Sequence, residues 1–233
     1  MVNIPKINKA STNGEVDATT KAINVALAKN DWSFDAFLTG IITTLIALYE
    51  NLNEAIKRGK AESELEEKDM TRDKALSELF NLVKGFASIS GTAGDGARVV
   101  MAILDKYGLS KTARANYANE SAYINSMLTD LKVAEIAAII GGLPFVQDAI
   151  LKLEHSQNEF EQAHNDYMVA MATDSTKNSA TAIKGEVMKV INEDLVDYLK
   201  TMSKVNPDTY APTSTEIAEI ITDNNTRVKN RKA

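Results

Sequence analysis

The sequence predicts an all-α fold, an elongated antiparallel bundle of long helices with short accessory helices. Three observations carry that prediction. Between Leu143 and Thr173 the apolar positions Val146, Ile150, Leu153, Phe160, Tyr167 and Met171 step alternately by four and three, with Gln157 and His164 in the two remaining places. A step averaging about 3.5 residues is the seam of a helix packed lengthwise on others, and at ~1.5 Å per residue this one spans roughly 45 Å. A second stretch, Phe34, Leu38, Ile41, Leu45, Leu48 and Leu52, repeats that step. Only four prolines interrupt 233 residues, few for a chain built from strands and turns.

Residues 1–14 read as an irregular arm, with Pro5 and then Ser11-Thr12-Asn13-Gly14 as turn chemistry. Residues 15–233 read as a single helical-bundle domain. A first helix runs from Glu15 to Lys29 with Val16, Thr19, Ile23, Ala26 and Leu27 on one face. Asp31 or Ser33 then caps the second helix. Beside its main seam lie Phe37, Ile42, Ile46 and Tyr49, a stripe broad enough to meet a partner. Lys57-Arg58-Gly59-Lys60 marks an end or a loosened turn.

The third helix covers about Ser63 to Ile89. Stepping its seam back from Leu76 reaches Arg72 and Asp69, which are either at an exposed bundle end or a partly buried pair. After the glycines at 91, 94 and 96, a fourth helix ends at Tyr107 with Gly108 as its left-handed cap. Leu109 to Thr112 reads as a loop. A fifth helix starts near Asn116 or Asn119 and runs to Leu131, and a short apolar one covers Val133 to Ile140. The long seam follows, with Pro144 in its first turn and Phe145 widening its buried face. Asp174-Ser175-Thr176 breaks it and starts the next helix, which carries Ile183, Val187, Ile191, Leu195 and Tyr198. Residues 204–213 read as a loop, and Thr213 with Glu216 as a capping box for the last helix.

With 26 basic and 32 acidic residues the net charge is −6, which gives no electrostatic reason to expect nucleic-acid binding. The acidic run Glu62, Glu64, Glu66, Glu67, Asp69 and the basic end Arg227, Lys229, Arg231, Lys232 read as solvated helix surface and a cation-favouring helix terminus. There is no cysteine, so no disulfide or thiolate site forms. The first residues lack the apolar core of a secretion signal, and the expected compartment is the cytoplasm. No run of about 18 apolar residues exists, so no spanning helix is expected.

Catalytic constellations are scarce. Glu161-x-x-His164 has the spacing of one half of a di-metal bundle site, but the only other histidine, His155, lacks the matching acid. The glycine segment lacks the Lys-Ser/Thr of a phosphate loop and carries Asp95, so a tight turn is the expectation. No metal and no cofactor is expected. Asp69, Arg72, Gln157 and His164 stand out as polar positions in the core seams. The apolar segment 133–146, punctuated by Gly141-Gly142, is either a buried connector or the hairpin of a membrane-active protein.

The order Arg72-Asp73, an Ala/Gly-rich helix ending at Tyr107-Gly108, Glu120 to Leu131 with Ile124, Leu128 and Asp130, then Phe160 and Tyr167 on a long helix resembles an uncharacterised Bacteroidota family. That family is a domain of unknown function of about this length, and the resemblance covers roughly residues 30–230. It implies an all-helical protein of gut-type bacteria and brings no catalytic residue. Some members carry a hemagglutinin-like label, from which no function is taken. The expected role is therefore a non-enzymatic structural or protein-interaction bundle, meeting an unknown protein or a second copy of itself. The alternative is a membrane-active, pore-forming-like helical protein.

Overall fold

A computed structural model describes residues 2–174 and 177–232. The fold is all-α, with no strand among the described residues. Its helices are α1 (Asn13–Leu27), α2 (Ala36–Ala87), α3 (Thr92–Tyr107), α4 (Leu109–Ala113), α5 (Tyr117–Leu131), α6 (Ala134–Ile140), α7 (Val146–Thr173), α8 (Ala180–Lys189), a π-helical segment (Val190–Leu195), α9 (Val196–Val205) and α10 (Pro207–Lys232). The sequence reading puts one domain over 15–233. The contacts group into two compact units, residues 1–60 with 170–233, and residues 61–169.

The first unit packs α1 against α8 and α10, and α9 against α10. Its core takes Leu38, Ile41, Leu45 and Leu52 from α2, as the four-three step requires. Ile183, Val187, Ile191, Leu195 and Leu199 join them at a strict spacing of four. An α-helix would carry that spacing slowly around its circumference. The π-helical turn, bonded i→i+5, takes up the excess and keeps the seam on the core.

The arm is irregular up to Thr12 and is held fast. Ile4 and Ile7 are buried in the first core. Asn192, in the π-helical segment, accepts from the Ile7 N–H at 2.7 Å and donates to the Ile7 carbonyl at 3.3 Å. Asn225 accepts from the Asn8 N–H at 2.8 Å and donates to the Lys6 carbonyl at 2.8 Å. Two amide side chains thus supply the main-chain bonds that an extended segment lacks on its own. Thr12 and Glu15 form a capping box, so α1 starts at Asn13 rather than Glu15.

The second unit has its own core, built from Leu76, Leu79 and Val83 of α2, Val100 and Leu104 of α3, Ile124 and Leu128 of α5, and Val146, Ile150 and Leu153 of α7. Gly91, at φ 94°, caps α3. Of the glycine segment expected to form a tight turn, only Gly91 lies in the turn; Gly94 and Gly96 are in the first turns of α3, where a Cβ on Gly94 would sit 1.9 Å from the Ile89 carbonyl oxygen.

Several local expectations give way to packing. No helix ends at Lys57-Arg58-Gly59-Lys60; α2 runs straight through, with Arg58 paired to Asp174. A helical glycine costs about 1 kcal/mol against alanine, which two flanking seams outweigh. Asp35, rather than Asp31 or Ser33, caps α2, accepting from the Leu38 N–H at 3.0 Å. Leu109–Ala113 is a short helix instead of a loop. Asn116 caps α5. Phe145 is 73% exposed with φ 64°, so it does not widen the buried face of α7, which begins one residue later.

The expected loop 204–213 is helical from Pro207, where proline suits a first turn. Thr213 is then buried inside α10 and Glu216 pairs with Lys29, so no capping box forms there. Ser179 caps α8; Ser175 and Thr176, read as part of the break, lie outside the described residues. The segment 133–146 supplies Ile140, Leu143 and Val146 to the second core, while Val133 and Phe145 are exposed.

Candidate functional site: a buried arginine among acids

Arg72 is the largest fully buried side chain. It points from α2 into the space between α5 and α7, and its guanidinium is shared among them. Nη2 donates to Asp69 Oδ1 and to Glu120 Oε2, both at 2.6 Å. Nη1 donates to Ser121 Oγ at 3.1 Å and to Gln157 Oε1 at 3.4 Å. The Phe160 ring lies beneath it, 3.5 Å from Cζ, a cation–π contact within a desolvated pocket. A buried cation requires such partners, since an unpaired one would be strongly destabilising.

The network continues outward along α7. Gln157 Nε2 donates to Glu161 Oε1 at 2.8 Å, and Asn125 Nδ2 donates to the same oxygen at 2.9 Å. His164 stacks on Phe160 with ring centroids 6.0 Å apart and meets Tyr117 edge-on at 6.2 Å. Tyr117, Ala118, Ser121, Phe160, Glu161, His164 and Asn165 line a cleft of about 320 Å3 beside the network, of which Ser121 and Phe160 are also part.

The electrostatics are acid-rich. Burial pushes Glu120 up to about 7, with Arg72 pulling the other way and Asp73 and Asp69 adding to the rise. Burial also raises Asp69, against the pull of Arg72. Arg72 Nε, Glu120 Oε1 and Asp73 Oδ1 are buried without a hydrogen-bond partner among the described residues. Chemically, the arrangement is a charged joint tying three helices together, with both terminal nitrogens of its cation engaged. Among the described residues no cluster of three or more acids or histidines is placed to hold a metal ion.

Of the polar seam positions, Asp69, Arg72 and Gln157 thus meet directly, and His164 joins them through Phe160. The apolar stripe is divided. Phe37 is 63% exposed and leans on Tyr198 at 4.9 Å, and Ile46 is 41% exposed. Ile42 and Tyr49 are half-buried, Ile42 against the first core. The stripe and the arginine network lie in different units, at 37–49 and 69–164.

A family model described as a family of unknown function, DUF6261, matches residues 62–225, more than half of the chain. The chain belongs to that family. No curated protein and no solved structure matches it. The DUF6261 match spans the whole arginine network and leaves out the arm, α1 and the α2 stripe. It is narrower than the resemblance over 30–230 read from the sequence, and it carries no activity.

Three features of this DUF6261 chain escaped the sequence reading. Glu120 and Ser121, the arginine's partners on α5, carry no local mark of burial. Asp35 accepts from Tyr210 Oη at 2.6 Å and Tyr198 Oη at 2.7 Å; its place three residues before Leu38 is a capping signal, obscured by Asp31 and Ser33 nearby. Asn192 and Asn225 look like surface amides until the arm is seen against them.

Proposed function

We propose that this DUF6261 protein is a non-enzymatic interaction protein that associates with a second copy of itself through the outer face of α2 in its first unit. The observation that supports this is the exposure of Phe37 (63%) and Ile46 (41%) on α2, with Phe34 (64%) exposed just before the helix begins. The non-enzymatic part of the reading draws on the arginine network, whose terminal nitrogens all serve neighbouring side chains. A net charge of −6 gives a nucleic-acid partner nothing to hold. A Bacteroidota source and the cytoplasm as working compartment belong to this proposal as well, the former resting on the family resemblance alone.

Size-exclusion chromatography with light scattering tests it: a mass above 25.4 kDa is expected, returning to the monomer value in Phe37→Ser/Ile46→Ser. A monomer at every concentration refutes self-association. The second reading, a membrane-active protein, draws on the exposed Phe145 and Val133 flanking the segment 133–146. Among the described residues no helix is long and apolar enough to cross a membrane. Dye release from lipid vesicles separates the two; the first reading expects no leakage at micromolar protein.

A further inference from the structure

Three carboxyl groups, those of Asp69, Asp73 and Glu120, lie close together in the second unit, and Arg72 bonds two of them. Arg72 Nη2 satisfies one oxygen of Asp69 and one of Glu120. Left over are Glu120 Oε1 and Asp73 Oδ1, both buried and both without a donor among the described residues. Their two side chains stand within hydrogen-bonding reach of each other. Two ionised carboxylates have no hydrogen to place between them, and burying both unpaired is costly. A single proton repairs the defect at once, because a carboxylic acid donates to a carboxylate.

We propose that Glu120 and Asp73 share one proton in the folded protein, so that the interior of the second unit is a proton-binding site that empties as pH rises. The surrounding charges favour it. From α2 come Asp69, Arg72 and Asp73, and from α5 Tyr117 and Glu120. From α7 come Glu161 and His164, while Lys68 is held by Glu159. With the proton in place, Asp69, Asp73 and Glu120 carry two negative charges between them instead of three. The rise of Glu120 from 4.5 to about 7, caused first by burial, agrees with this.

The consequence for stability has a definite sign. A carboxyl raised in the folded state contributes fully below its unfolded value of 4.5, and that contribution is lost as pH climbs through about 7. Between those values the folding constant falls about tenfold per pH unit on account of this group.

Carbon-13 NMR of the side-chain carboxyls in the full chain tests the proposal. The wild type is expected to show one carboxyl titrating near pH 7, missing in Glu120→Gln. Asp73→Asn puts an amide donor opposite Glu120 Oε1, favours the ionised form and moves the titration down by a pH unit or more. Histidine ordinarily titrates in the same range, and His164→Gln is expected to leave the signal in place. In unfolding experiments from pH 5 to 7, Glu120→Gln flattens the slope seen in the wild type. The proposal falls if every wild-type carboxyl titrates in the ordinary range, or if Asp73→Asn leaves a raised signal where it was, which would make burial alone the cause. The wild-type titration needs no variant, so a variant that fails to fold does not shelter the idea.

Discussion

Each unit buries an acid, and the two acids are treated in opposite ways. In the first unit Asp35 receives three donors: the Leu38 N–H on one oxygen, the hydroxyls of Tyr198 and Tyr210 on the other. Burial pushes its carboxyl up, yet these bonds together hold it below the usual range. In the second unit Glu120 sits against a full positive charge, receives one bond from Arg72, and has one oxygen unmet. It is pushed up. The difference teaches that a counter-ion alone does not keep a buried acid charged: burial outweighs Arg72 at Glu120, whereas three donors outweigh burial at Asp35. Neutral tyrosines serve Asp35 better than a guanidinium divided among several acceptors serves Glu120.

The most damaging way to break the comparison is Arg72→Met. It removes the cation from Asp69 and Glu120 while keeping apolar bulk over Phe160, and a loss of about 3–5 kcal/mol is expected by urea unfolding. The loss should be smaller at pH 5 than at pH 8, where the stranded acids stay ionised; an equal loss at both would show that packing, not charge, is what arginine supplies. Next comes Asp35→Ala, which removes the cap of α2 and strands two hydroxyls, at about 2–3 kcal/mol. Its pH dependence has the same sign but falls in the acid range. A depressed acid contributes above its unfolded value of 3.8 and loses that contribution as pH falls through its lower folded value, so the variant should be most harmful at neutral pH and least in acid. Smallest is Tyr198→Phe, expected to cost about 1 kcal/mol and to raise the Asp35 carboxyl; an unmoved Asp35 would mean that Tyr210 and the cap suffice alone.

The seams were legible because periodicity is local: Leu38, Ile41, Leu45 and Leu52, and Val146, Ile150, Leu153 and Phe160, are buried as their spacing requires, while Leu48 is half-buried and Phe34, the first of its step, is exposed ahead of the helix. Helix ends were less so. Gly59 looks like a stop, but its Cβ would meet nothing within 4 Å, and the packed seams on either side carry the helix across it. Pro207 and Pro212 look like a loop, yet Asn206 and Pro207 together make a helix start, and Pro212 follows inside it. The arginine network shows the same division. Asp69 and Arg72 share a helix, so their pairing could be anticipated. Glu120 and Gln157 lie 48 and 85 positions beyond Arg72, and nothing in a single sequence says that a glutamate on α5 will be brought beneath it. The two-unit grouping was hidden for a related reason: one unbroken helix, α2, contributes a separate seam to each of two different cores.

The widened turn at Val190–Leu195 amounts to one surplus residue held in an otherwise regular helix. That surplus makes the stretch a natural site for a change of chain length. Excising Glu193, which faces outward, would let the turn relax to the ordinary winding and keep Ile183 and Leu199 on the same side, whereas a deletion in α8 or α9 would rotate every later side chain off its partners. The bill would fall on Asn192 alone, whose grip on Ile7 depends on where the bulge aims it, so a shortened chain would keep its bundle and let go of its leading strap.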